Sequence, residues 1–531
     1  MTQRTLTALA LSLAALALIV VMVSGSERAS AAAFTVTKFT DSADGTCNAD
    51  CSLREAVVAA NVNASSFDTI SLSAGTYSLT IPGGDFGAHN ANIGDLDITN
   101  GLVTIDGAGA GATVINANGI DRIFDIKILV NLVTISDLTV YNGNAGAYTG
   151  GGITVGNGSF VTINDVVFDG NTAGLNGGGL YNAGTLTLNR VTVRNNVAGG
   201  FGGGIQNGTL NVGAITINDS VIHNNIAGGL YGGGFNNEYN ANLTNVTISD
   251  NLVASGGGSG GGVRHLATSA SGVTLTMTNV TIAANSASSG GGLRRTTAGN
   301  DTVLKNVIIA ANSGGNCAAT NGSIASAGHN LSTDASCAPY FVAAGDQNNV
   351  NPGLGALQNN GGPTLTRAIP NGSAAMNTGD NNGCPATDQR GVTRPSGGTC
   401  DIGAYEYDSG PAPTPTPTPV PTPPPTPTPV PTPSPTPAPT AVPGAFGNVD
   451  CGGGITSIDA LKVLRYGALL PYSQYEPPAC DDIGAMMASW NKLQGDVDCD
   501  DAVNSIDSLK LLRFAAGLSY TQQPACPDIG S

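Results

Sequence analysis

The chain is poor in charge: Asp, Glu, Lys and Arg make up 11% of its 531 residues. It is poorest in positive charge, with 20 Lys and Arg against 37 Asp and Glu and a formal net charge of −17. Nucleic acids and anionic membrane surfaces are recognised through basic patches, so both are expected to be poor partners. Aromatic residues amount to 5%, which leaves little for an aromatic sugar-stacking platform. His occurs four times without clustering near Cys, and C-x-x-C does not occur. A zinc site is therefore not indicated. The central region has no sustained 3.6-residue apolar period, which argues against a helical fold there. At 41% the apolar fraction is too high for a disordered chain, and the length is too great for one compact domain.

What is present begins with an export signal. Arg4 supplies a positive start, Leu6 to Val23 is apolar apart from Thr7 and Ser12, and Ala29-Ser30-Ala31 or Ala31-Ala32-Ala33 fits a cleavage site. Residues 1–31 are read as a removed signal peptide. No other stretch is long and apolar enough to span a membrane, so the mature chain is expected outside the cell, associated with its surface. The ten cysteines fall into local pairs: Cys47-Cys51, Cys317-Cys337, Cys384-Cys400, Cys451-Cys480 and Cys499-Cys526. An even count in an exported chain favours disulfides.

Gly is abundant, 75 residues in all, and its placement is periodic. A Gly triplet followed by an apolar residue recurs at Gly150–Gly152, Gly177–Gly179, Gly202–Gly204, Gly232–Gly234, Gly260–Gly262 and Gly290–Gly292. In phase with it run Asn171, Asn196, Asn225, Asn251, Asn285 and Asn312, each after a β-branched segment such as Val191-Thr192-Val193. This spacing marks a solenoid. Residues 34–340 are thus expected to form an all-β parallel β-helix, with Thr outside, Val and Ile inside, and the Asn residues stacked in a ladder. Asp137, Asp165 and Asp219 share one coil position with Arg190, Asn245, Asn279 and Asn306, which reads as a turn ladder. Cys51 to Asn61 is helix-like, with Ser52 and Glu55 as a capping box, and is read as the N-terminal lid.

Cys51-Ser52-Leu53-Arg54-Glu55-Ala56 resembles the CSLREA motif of secreted bacterial β-helix proteins. The Gly and Asn repeats resemble those of right-handed parallel β-helix proteins. Asn360-Gly361-Gly362-Pro363-Thr364, Asp388-Gln389-Arg390-Gly391, Arg394-Pro395 and Cys400-Asp401-Ile402-Gly403-Ala404-Tyr405-Glu406 resemble the choice-of-anchor region of such proteins. The resemblance implies that 341–410 closes the C-terminal end. Residues 411–443 alternate Pro with Thr, Ala, Val and Ser, the composition of an extended spacer on the order of 100 Å long.

Two copies of one unit follow in 444–531. In the second, Asp496, Asp498, Asp500, the Ala502 carbonyl, Asn504 and Asp507 fall at positions 1, 3, 5, 7, 9 and 12 of a Ca²⁺ loop. The first copy keeps Asn448, Asp450, Thr456 and Asp459 but has Gly452 at position 5, a weaker set. Asp at position 12 and the duplication resemble a type I dockerin, which implies a small all-α Ca²⁺-binding domain. The same resemblance implies that Ser457, Ile458, Ser505 and Ile506 face a cohesin-like partner. Catalytic candidates are thin: Arg264-His265 and Arg294-Arg295 follow neighbouring Gly turns, where they either bind an acidic sugar or are solvated. The expected function is a surface or matrix protein, used for adhesion or polysaccharide binding and docked through Ca²⁺. The alternative is an extracellular polysaccharide lyase or glycoside hydrolase.

Overall fold

The computed structural model describes residues 31–408, except 64–66, 84–89, 100–101, 128–131, 209–211, 267–272 and 297–301. It also describes two short antiparallel strands, Met486–Met487 and Lys492–Leu493. The rest of the expected signal, the spacer and both Ca²⁺ loops lie outside the described residues.

Residues 33–348 wind into a parallel β-solenoid of the right-handed type. Sheet 1 has eleven strands, from Ala33–Thr35 to Ile324–Ser326; sheet 2 has nine, from Leu96–Ile98 to Cys317–Thr320. Sheet 3 has eleven, from Gly75–Ser78 to Gln347–Asn348, and sheet 4 stacks four two-residue strands between Thr172 and Val253. Strand alternation sets the two faces of each sheet. In sheet 1, Ile135, Ile163, Leu188 and Ile217 lie in register and fully buried. Each such side chain contributes roughly 1.5–3 kcal/mol on burial. The outward middle row of the same sheet is threonine through six strands: Thr69, Thr104, Thr134, Thr162, Thr187 and Thr216.

The Asn ladder forms as the sequence requires. Nδ2 of Asn171 donates to Oδ1 of Asn196 (2.9 Å), and the chain continues through Asn225, Asn251, Asn285 and Asn312 at 2.9–3.0 Å. The backbone N–H of each donates to the same oxygen, as from Asn196 to Asn225 (3.0 Å). A second donation from Nδ2, to Val193 O in the case of Asn225, satisfies the buried amide. The Gly triplet serves two needs. Gly177 sits at φ +69°, where a side chain is strained, and a Cβ on Gly178 would lie 2.3 Å from the Gly203 carbonyl of the next coil. The second turn ladder is also present: Asp137, Asp165, Arg190, Asp219, Asn245, Asn279 and Asn306 all have φ between 50° and 58°.

Helix α1, Leu53–Val62, covers the N-terminal end, and its Ser52/Glu55 capping box is complete. Leu53, Val57 and Ala60 are buried on one face. Burial works against the Glu55 charge, yet hydrogen bonds from Ser42, Ser52 and Asp44, with Lys38 nearby, bring its pKa down to about 2. Three of the expected disulfides are formed, Cys47–Cys51, Cys317–Cys337 and Cys384–Cys400; Cys451, Cys480, Cys499 and Cys526 lie outside the described residues.

The segment expected to close the C-terminal end runs back along the flank as a strap. His329 Nδ1 lies 2.7 Å from Thr378 O, Asn306 Nδ2 donates to Asp380 O (3.1 Å), and Asn279 Nδ2 donates to Asp401 O (3.1 Å). Asn245 Nδ2 donates to Thr387 O (2.8 Å), and Thr364 Oγ1 donates to Asp219 O (2.9 Å). Beneath the strap the outer face of sheet 3 becomes apolar, with Ala283, Ile308, Ala310 and Leu331 packing on Ile369, Ala375 and Ile402. The choice-of-anchor-like motif residues lock the strap from within. Arg394 pairs with Glu406 (2.9 Å) and Arg390 with Asp388 (2.7 Å), all four buried, and Arg390 stacks on Tyr405.

Candidate functional site

The outer face of sheet 2 concentrates the buried polar and charged side chains. Its middle outward row reads Asp97, Asp125, Thr154, Tyr181, Gln206, Asn236, Arg264 and Arg294 through eight successive strands. Acids stand at one end and arginines at the other.

At the acidic end, carboxylate oxygens of Asp95, Asp97 and Asp125 lie within 4.8 Å of one another, and all three residues are buried. Helix α1 helps to build this end. Arg54 donates to the Ala91 and Gly94 carbonyls (2.8 Å each), and Asn61 Nδ2 donates to Asp97 O (2.7 Å). Two cations sit among the carboxylates. Arg122 Nε contacts Asp95 Oδ2, and Arg122 Nη1 lies 3.5 Å from Asp125. Lys127 Nζ is 3.0 Å from Asp97 and also contacts Asp125. Burial raises the Asp95 pKa to about 8; Arg122 opposes the rise, and Asp97, Asp125 and Asp121 add to it. Burial pulls on Lys127 the other way, but Asp125 and Asp97 hold it above its ordinary value. A general base needs a pKa near working pH. Lys127 in this arrangement is a fixed cation. The three carboxylates form an oxygen set suited to a divalent ion, for which Arg122 and Lys127 would have to give way.

At the basic end the sequence expectation needs correcting. The strand register does stack Arg264 on Arg294 and His265 on Arg295. Arg264 is not solvated, however. It is buried over the Tyr231 ring (3.9 Å), donates to Asn236 Oδ1 (3.2 Å) and pairs with Glu238 (3.4 Å). Burial lowers its pKa despite Glu238. Arg294, partly exposed, donates to Ser289 Oγ (2.9 Å). His265 and Arg295 point inward and are buried. His265 Nδ1 lies 2.8 Å from Asn237 Nδ2 and so continues an inner chain from Asn182 through Asn207 and Asn237, with links of 2.7 Å.

Five strand steps separate Asp125 from Arg264, roughly 24 Å at the spacing of neighbouring strands. The acids and the arginines cannot act on one bond. Sequence reasoning missed the acidic cluster, although a signal was there: Leu96-Asp97-Ile98 and Phe124-Asp125-Ile126 are the same strand one coil apart. The predicted Ca²⁺ ligands Asp496, Asp498, Asp500, Ala502, Asn504 and Asp507 lie outside the described residues. So do the weaker set Asn448, Asp450, Thr456 and Asp459 and the docking positions Ser457, Ile458, Ser505 and Ile506. Among the described residues no helix is long and apolar enough to cross a membrane.

No protein-family model matches the chain, and no curated protein matches it. Among solved structures it is similar to the pectate lyase Pel9A: 15% identity over 71% of this chain and 97% of that one, TM-score 0.34. It is also similar to a mannuronic-acid-specific family 6 polysaccharide lyase from human gut microbiota, at 13% identity over 60% and 88% of the two chains, TM-score 0.26. Neither overlap supplies a residue correspondence.

Proposed function

We propose that this is an exported, non-catalytic polysaccharide-binding rod, held to a cohesin-like partner protein through a Ca²⁺-loaded dockerin-like tail. The observation that carries the non-catalytic part is the pairwise neutralisation along sheet 2. Asp97 pairs with Lys127 and Glu238 with Arg264, all within the protein, and the Asp95 carboxyl, which burial holds protonated, lies against Arg122. Polysaccharide binding is supported by coil-on-coil rows of hydrogen-bonding side chains, whose regular repeat suits a repeating polymer. Three disulfides support an oxidising, extracellular destination. The tail is supported by its own residues, the carboxylates Asp496, Asp498, Asp500 and Asp507 in Ca²⁺-loop spacing.

The Asp95, Asp97 and Asp125 cluster beside Lys127 favours a second reading, a cation-dependent polysaccharide lyase. One set of experiments separates the two. Full-length protein titrated with Ca²⁺ should give heat that disappears in the Asp496→Ala/Asp507→Ala variant. Incubation with polygalacturonate or alginate and Ca²⁺ should release no unsaturated or reducing ends. Cleavage that vanishes in Asp97→Asn and Lys127→Met would replace the first reading with the second.

A further inference from the structure

We propose that the outer face of sheet 1 is the glycan platform, and that its ligand is a linear, uncharged polysaccharide lying parallel to the rod axis. This rests on the polysaccharide-binding reading above and adds the place and the chemical class.

Three outward rows cross the first strands of this sheet. The middle row is the threonine series already described. Beside it, Phe67, Leu102, Leu132 and Phe160 stand in register on four successive strands. Phe67 is 64% exposed, Leu132 48% and Phe160 47%. Outward positions on these four strands otherwise hold Thr, Ser, Asn and the single acid Asp106, so the aligned apolar row stands out on this face. Such a patch marks a binding surface. On the other side of the threonines, Asn164, Asn189 and Asn218 are joined by side-chain hydrogen bonds of 2.9 and 3.0 Å, which makes that margin rigid.

Charge selects the partner. The third row is Ser71, Asp106, Ser136, Asn164, Asn189 and Asn218. Asp106 is the one charged residue across the three rows, and it accepts a hydrogen bond from Ser136 Oγ (2.7 Å). Rows with a single charge, on a chain of net charge −17, offer little to a polyelectrolyte and leave little charge to desolvate against a neutral partner. The rows run across the strands, along the rod, with a step of about 4.8 Å. The threonine row therefore covers roughly 24 Å. A pyranose chain has apolar C–H faces, which suit the Phe and Leu row, and hydroxyl edges, which suit the Thr hydroxyls.

Affinity electrophoresis of the full-length chain in gels containing soluble neutral β-glucan or polygalacturonate tests this. β-Glucan should retard the wild type with little dependence on salt. Leu132→Asp/Phe160→Asp should weaken retardation about tenfold or more, given how few residues carry most of the affinity at an interface. Leu252→Asp, on the exposed face of sheet 4, should leave it unchanged, and all three proteins should melt alike. Equal retardation of the double variant would move the platform elsewhere and leave the polysaccharide-binding reading intact. Retardation by polygalacturonate alone would overturn the neutral ligand. Retardation by neither gel would remove both readings. A wild-type dimer that the double variant converts to monomer, with retardation unchanged, would assign the face to a second copy of the chain instead.

Discussion

Asp95 carries a proton at pH values where a surface aspartate has lost it. Its carboxyl is buried among three other acids, and Arg122 only partly relieves this. In the unfolded chain the group titrates near its ordinary value, so folding takes up a proton between pH 4 and 8. A group whose pKa is raised by folding stabilises the fold below its unfolded value and loses that contribution as pH rises through its folded one. Stability should therefore fall across pH 4 to 8, by on the order of a few kcal/mol. Asp95→Asn keeps the shape and cannot ionise. Its melting temperature should be flatter over this range than that of the wild type, and equal slopes would refute the assignment. His223 has the opposite sign: burial, helped by Arg194, lowers it to about 4, so its contribution fades as pH falls below about 6.5.

At the scale of the coil, the same amide chemistry appears inside and outside with different weight. Asn225 is fully buried, and its Oδ1 accepts from both the backbone and the side chain of Asn196. Asn225→Ala strands those donors away from water and should cost about 3 kcal/mol. Asn218 makes a similar link to Asn189 on the partly exposed face, where water can substitute. Asn218→Ala should cost under about 1 kcal/mol. Denaturant midpoints of the two variants check the contrast, and equal losses would contradict it. The inner Asn series was legible in the sequence because burial tolerates no substitute for a paired amide. The second inner chain was not, because its members change from Asn182 to His265 and Arg295 while keeping one register position. The acidic cluster escaped for a related reason. Asp97 and Asp125 lie in coils without the Gly triplet, so the repeat that organised the reading did not reach them.

The whole molecule differs from a simple solenoid in its strap. The sequence offered no period over 341–408, and the strap's partners lie far away: Asn245 meets Thr387 at a separation of 142 residues. A trace was nevertheless present. Along the second turn ladder, Asp and Arg in the earlier coils give way to Asn245, Asn279 and Asn306, whose amides donate to strap carbonyls. Val307-Ile308-Ile309 likewise abandons alternation because both faces are covered. Arg394→Ala would leave Glu406 buried without its partner, at a cost of about 3–5 kcal/mol. Limited proteolysis should then cut within 355–408 while α1 and the early coils stay protected; an unchanged digest would show that the ion pair does not hold the strap. A stack bonded only between neighbours peels from its last coil one rung at a time. Here the chain reaches Asp408 from Gly403 and Ala404, which are bonded to Asn306 and Thr281 on the flank. Tension entering at Asp408 is therefore shared in shear among several coils at once, and the stack resists being unravelled from this end.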